Sequence, residues 1–346
     1  MEKKRYVVTS TRSASGKTAI TAALALKKPS TSGYFKPIAD RLEDEKHLVD
    51  RDCSLMKEIL SLEAPLEMMS VVRDYPGLFR DRTREEFPDK IKERLALQED
   101  REIMFIESGR NYSYGAYVGL DALTLSRLTD SRIILVADGD VGMLEDKTIV
   151  AHAYFTSQGA DVVGVILNKV REEDLGYLDN VTTPALERRG IEILGTVPYI
   201  EEISRLTVRD IARELNAKVI GGEGGLDNVV EDIFIGAMSV TTAMKNPLFW
   251  RKRKVIITGG DRVDMQLAAF ESDTSALILT GNIFPEPQVV AKADSISVPL
   301  LLVPGDTYTV SRRVERVEPH LKLDLEGRRK LLEALKENVE VEKILG

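Results

Sequence analysis

The run Thr11-Arg12-Ser13-Ala14-Ser15-Gly16-Lys17-Thr18 holds the residue types that grip a phosphate. It follows the strand-like Tyr6–Thr9 and opens the helical Ala19–Leu26. In that setting successive backbone N–H groups and a helix N-terminus converge on phosphate oxygens. Gly16 lets the backbone approach closely, Lys17 reaches the β- and γ-phosphates, and the Thr18 hydroxyl suits Mg²⁺. Thr11, Ser13, Ala14 and Ser15 complete the cradle. Thr11 stands where the strict GxxxxGK[ST] pattern has its first glycine. The bland alternative is a Ser/Gly turn with a chance Gly-Lys-Thr, and it needs strand, helix and N-terminal position to coincide by accident.

Other candidates lie at strand ends, where open α/β sheets gather their ligands. Lys36 there can neutralise a γ-phosphate, a carboxylate or a phosphoryl-transfer transition state; otherwise it is a solvated loop lysine. Glu107 ends the apolar run Ile103–Ile106, the place for a Mg²⁺ ligand beside a P-loop, or for a carboxylate capping the next turn. Asn168 with Lys169 can read a purine edge. No aspartate follows two residues after Lys169, where Val170-Arg171 stand, so ATP is favoured over GTP. Asp138 and Asp140 suit a site rim or a helix cap equally.

These residues need a scaffold, and the chain offers one. Near-continuous Val/Ile runs at Tyr6–Thr9, Ile103–Ile106, Arg132–Ala137 and Asp161–Leu167 alternate with segments of helical period. Strands apolar throughout are those covered on both faces, which predicts a parallel sheet flanked by helices, an α/β fold. The rhythm closes with Ile191–Val197 and a helix through Leu215. Four glycines in five residues (GGEGG, 221–225) mark a break or, alternatively, a loop within one sheet. The βα pattern then restarts at Lys254–Thr258. The expected domains are 1–215, 216–320 and a C-terminal helix within 321–346. That helix, with Leu332, Leu335 and Val339 on one face, packs back on the body or forms a dimer seam.

At 346 residues, with 43% hydrophobic and 30% charged, the chain has ample material for two cores. A net charge of −8 argues against a nucleic-acid partner. One cysteine and three histidines argue against a Cys- or His-built metal site. No apolar run is long enough to cross a membrane, and the first strand begins too early for a leader, so a cytoplasmic protein is expected.

Ser10–Thr18 resembles the dethiobiotin synthetase loop Gly-Thr-Asp-Thr-Glu-Val-Gly-Lys-Thr. Gly33-Tyr34-Phe35-Lys36-Pro37-Ile38 is similar to the end of that family's second strand, and Phe105-Ile106-Glu107-Ser108-Gly109 to its Val-Glu-Gly. Leu167-Asn168-Lys169 and Ile193-Leu194-Gly195-Thr196-Val197-Pro198 match later landmarks, so the resemblance spans residues 4–215. It implies Mg²⁺ held by Thr18, Glu107 and Asp52, catalytic roles for Lys17, Lys36 and Glu107, and Asn168 near the base. Asp52 has a competing role as an N-cap, with Asp50 a substitute ligand. Ser108 replaces the family's glycine after the glutamate.

The second part resembles a DRTGG domain through Ile256–Arg262, Ile278–Gly281 and Pro304–Tyr308. Such domains are often regulatory and can mediate dimers. The two together are arranged as in the N-terminal part of long phosphotransacetylases, without the acetyltransferase domain that follows there. The resemblance implies a Mg²⁺- and ATP-binding protein, a likeness to ATP-dependent enzymes that activate a carboxylate of a small molecule, and a homodimer. The alternative is a non-catalytic nucleotide or metabolite sensor.

Overall fold

A computed structural model describes residues 3–40, 42–44, 49–73, 75, 87–315, 317, 321 and 323–346. The chain divides into two compact units, Met1–Ile200 with Leu323–Gly346, and Glu201–Lys322. The first is built on β1 (Lys4–Ser10) and β2 (Ser32–Phe35), a short antiparallel pair β3 (Leu42–Asp44) and β4 (Val49–Asp50), and then β5 (Ile103–Glu107), β6 (Arg132–Ala137), β7 (Val162–Val170) and β8 (Ile193–Pro198). Six of these form one parallel sheet in the order β2-β5-β1-β6-β7-β8. The strands are buried on both faces, as their unbroken apolar runs require. The order reverses direction at β1, so the loop after β1 opens into the crevice at the sheet's carboxyl edge.

Helices cover both faces: α1 (Lys17–Ala25), α2 (Arg51–Leu60), α3 (Phe87–Ala96), α4 (Ala122–Thr129) and α5 (Met143–Ser157). Every residue of α1 is buried. Its alanines allow close approach, while Ile20 and Leu24 fill the space at about 1.5–3 kcal/mol each relative to exposure. On the opposite face Phe35, Met104, Ile133 and Leu135 pack with Ile91, Leu123, Leu144 and Phe155.

The expected boundary near residue 216 falls at Ile200/Glu201. The helix Val208–Glu214 buries Val208, Ile211 and Ala212 with Val255, Ile257 and Ile278 of the second unit. The C-terminal helix Leu325–Asn338 is not a separate body. It packs on α1 through buried Leu331 and Leu335, with Leu332 only half-buried. Beyond it Val339 bridges Gly195 antiparallel, and the Glu340 N–H donates to Leu194 O at 2.8 Å. A side chain at Gly195 is impossible here, since its Cβ would lie 1.9 Å from Asn338 O.

The second unit has a five-stranded sheet. Its strands are β9 (Lys218–Gly221), β10 (Asp232–Ile235), β11 (Lys254–Gly259), β12 (Thr274–Thr280) and β13 (Leu300–Leu302), in the order β10-β11-β12-β13-β9 with β9 antiparallel. The GGEGG segment lies inside this unit, as the expected 216–320 boundaries have it. Cβ atoms at Gly222 and Gly225 would sit about 2 Å from the carbonyls of Val298 and Ser297, so the glycines serve a close backbone crossing. No helix among the described residues is long and apolar enough to cross a membrane.

Candidate nucleotide site

The loop between β1 and α1 is wound into a cradle by two left-handed residues, Ala14 (φ 60°) and Gly16 (φ 82°). This alternation turns successive N–H groups inward. The Thr11 N–H donates to Val136 O at 3.1 Å, and the Ser10 and Ser15 hydroxyls both donate to Arg12 O, at 2.7 and 3.0 Å. The Thr11 hydroxyl is buried without a hydrogen-bond partner among the described residues. Ser13 sits half-buried at the turn.

Asn168 and Lys169, at the end of β7, grip the loop from outside. Asn168 Nδ2 donates to Ser15 O and Lys169 Nζ to Ala14 O, each at 2.7 Å. Lys169 adopts a left-handed φ of 57° to do so. Gly16 is glycine for the same reason: a Cβ there would lie 2.3 Å from Asn168 Nδ2. The Asn168 amide, expected to read a base edge, is thus directed at the loop backbone.

Inside the loop, Lys17 Nζ donates to Ser10 Oγ and Arg110 O, both at 3.1 Å. The Thr18 hydroxyl donates to Glu107 Oε1 at 2.8 Å, and Tyr34 OH donates to Glu107 Oε2 at 2.9 Å. Glu107 is 2% exposed. Burial pushes its carboxyl up to about 7, with the nearby Asp52 adding to the rise.

Lys36 is equally buried and occupies the centre of three aspartates. Its ammonium lies 2.7 Å from Asp40 Oδ1, 3.1 Å from Asp50 Oδ2 and 2.6 Å from Asp52 Oδ2. Burial would drive its proton off, but the carboxylates together outweigh that and hold it well above the usual lysine value. Burial raises Asp50 to about 6 despite Lys36. Asp50, rather than Asp52, caps α2, accepting from the Asp52 N–H at 2.9 Å and the Cys53 N–H at 3.4 Å. Asp52 is left to turn its carboxylate to Lys36.

The structure therefore brings Thr11 to Thr18, Lys36, Asp52, Glu107 and Asn168 to one edge of one sheet. Asp138 also lies there, 2.8 Å from Arg12, whereas Asp140 is exposed. Asp40 and Tyr34 escaped the sequence reading. Asp40 follows the Lys-Pro landmark by only three residues, a signal that was available. The tyrosine-rich stretch 110–121, which composition suggests is a mobile cover, is anchored at its start while Tyr117 stays exposed. The Tyr112 N–H donates to Ser10 O at 2.9 Å, Tyr114 lies 4.6 Å from Tyr75, and Gly109 has no room for a Cβ beside Tyr114.

Residues 4–207 match a family model described as an AAA domain. The chain belongs to this AAA-domain family. Residues 210–317 match a second model, described as a DRTGG domain. Together they carry the resemblance to a dethiobiotin synthetase-like P-loop unit followed by DRTGG, as in the N-terminal region of phosphotransacetylases. The phosphate acetyltransferase of Synechocystis sp. is 27% identical over 86% of this chain and 44% of its own length. That of Nitrosomonas europaea is 25% identical over 85% and 44%. The chain thus spans less than half the length of these curated relatives. Among solved structures, the MinD cell division protein of Aquifex aeolicus aligns at 13% identity and a TM-score of 0.37, covering 58% of this chain and 84% of that one. A P-loop NTPase fold is in general a fold for a nucleotide phosphate and Mg²⁺.

Proposed function

We propose that the first unit of this AAA-domain family member binds Mg²⁺–ATP and uses it to phosphorylate, and so activate, a carboxylate of a small molecule. The observation that carries this reading is the Thr18 hydroxyl 2.8 Å from a buried Glu107 carboxylate directly beneath the loop. Hard oxygen donors of this kind suit Mg²⁺, and Asp52 would complete the set. Bound there, the ion would neutralise charge on the phosphates. Lys17 would exchange its contacts with Ser10 and Arg110 for phosphate oxygens. Lys36 would stabilise the negative charge that grows during transfer, while Asp40 and Asp50 keep it protonated and aimed. The N–H groups from Ser13 to Thr18 would orient the transferred group, with Asn168 and Lys169 keeping the loop in shape.

The preference for ATP over GTP rests on Val170-Arg171, which stand where a guanine-reading site places its aspartate. A cytoplasmic location fits the single buried cysteine. A homodimer, with the second unit as its regulatory or dimerising part, fits the domain arrangement. A second reading, a nucleotide-responsive regulator, is supported by the alignment of both units with phosphate acetyltransferases: the two units would then sense nucleotide rather than turn it over.

Thermal-shift titration of wild type and Lys17→Ala with Mg²⁺–ATP, Mg²⁺–ADP and Mg²⁺–GTP tests the site. Ligand at a hundred times its dissociation constant stabilises by about 2.7 kcal/mol. A shift with ATP that Lys17→Ala abolishes is expected, and no shift with any nucleotide overturns the proposal. Nucleotide turnover by the wild type that is lost in Lys36→Ala, at a temperature where melting curves show the variant folded, then supports the enzyme, whereas binding without turnover supports the regulator.

A further inference from the structure

The loop carries one cation that the roles above leave unused. Arg12 is 45% exposed, and its guanidinium ends 2.8 Å from Asp138 Oδ2. Asp138 is only 7% exposed and follows β6, the neighbour of β1. Arg12, Ala14, Asp138 and Lys169 line one cavity of about 390 Å³ beside the cradle. A guanidinium thus stands at the rim of a phosphate site and is drawn aside by a carboxylate.

Asp138 cannot lose water without a partner, and among the described residues Arg12 supplies it. The bond is nevertheless half open to solvent, where such pairs are weak. A polyphosphate brings several negative charges and can meet the planar guanidinium with two parallel hydrogen bonds. Resemblance does not supply this role, since the similar family has an aspartate at the corresponding position.

We propose that Arg12 is a phosphate-binding residue of this chain, and that its guanidinium leaves Asp138 for a polyphosphate oxygen when a nucleotide enters. This holds only if the loop takes a nucleotide, as proposed above. Asp138 is then a competitor that keeps Arg12 parked at the rim of the loop until a nucleotide binds. A static brace between β6 and the loop makes the opposite prediction for Asp138, because removing either end of a brace loosens the site.

Calorimetric titration of wild type, Arg12→Ala and Asp138→Asn with Mg²⁺–ATP and Mg²⁺–ADP separates the two, after melting curves have shown that each variant is folded. Arg12→Ala should weaken ATP binding about tenfold, the worth of one charge-assisted hydrogen bond. Asp138→Asn should tighten it about two- to fivefold, the worth of a half-exposed ion pair. Wild-type binding that Arg12→Ala leaves unchanged overturns the proposal, as does an Asp138→Asn variant that weakens alongside Arg12→Ala. Failure of the wild type to bind either nucleotide instead overturns the nucleotide site itself, and the role of Arg12 with it.

Discussion

Replacing Lys36 with methionine tests what the buried cluster does before any ligand arrives. Methionine keeps the apolar stem and removes the ammonium that lies 2.6 to 3.1 Å from three carboxylates. The lysine is 2% exposed, Asp50 2% and Asp52 3%, so water cannot take its place without a rearrangement. Breaking a buried pair on one side costs about 3–5 kcal/mol. A unit of this size melts about 2–4 °C lower per kcal/mol, so a drop on the order of 10 °C is expected near pH 8. The deficit should shrink near pH 5. Burial already raises Asp50, and Lys36 is what holds it down. Without the ammonium the folded state binds protons that the unfolded state has released, so the variant loses stability as pH rises through that range. Differential scanning calorimetry at both pH values reads this directly. A Lys36→Met melt within about 2 °C of wild type near pH 8 would refute the claim that the ammonium neutralises the cluster.

Nucleotide affinity in the presence of Mg²⁺ should fall as pH drops through about 7, because Glu107 must ionise to meet the cation; a flat calorimetric profile between pH 6 and pH 8 would count against Glu107 as a ligand. Without nucleotide the sign reverses. The raised carboxyl of Glu107 contributes stability that is present below the ordinary value of 4.5 and lost as pH rises through about 7, so Glu107→Gln should melt above wild type near pH 8. Asn168→Ala removes the grip on Ser15 O and should weaken ATP and GTP alike, by about tenfold for a lost buried hydrogen bond, whereas an altered ATP-to-GTP ratio would return Asn168 to base reading. Gly195→Ala places a methyl 1.9 Å from Asn338 O and should free the C-terminal segment, seen as faster tryptic cleavage at Lys336 and Lys343; an unchanged cleavage rate would mean the contact is dispensable.

What was legible in the sequence is what depends on local pattern. The continuous apolar runs of β1, β5, β6 and β7 announce strands covered on both faces, and Gly16-Lys17-Thr18 after the first of them announces the cradle. Illegible was whatever depends on where distant residues meet. Asn168 is a polar residue at a strand end, a type that fits a base reader as well as a loop brace, and the sequence does not reveal the 2.7 Å contact of its Nδ2 with Ser15 O. By sequence Asp52 fits a Mg²⁺ ligand and the N-cap of α2 equally. Register decides, because Asp50 stands just before the helix and can reach two free N–H groups. The glycines at 221–225 read as a break or a loop alike because composition does not reveal the Val298 and Ser297 carbonyls against them.

The pairing of Val339 with Gly195 has a consequence for the newborn chain. β8 is translated before Glu201–Lys322, yet the residues lying along its outer edge come after that whole unit. At about 5–20 residues per second the edge stays open for on the order of ten seconds, its backbone groups available to any passing strand. The second unit, contiguous in the chain, can close its own sheet in that interval. The outer edge of β8 therefore gains its last partner only after the whole second unit has been made.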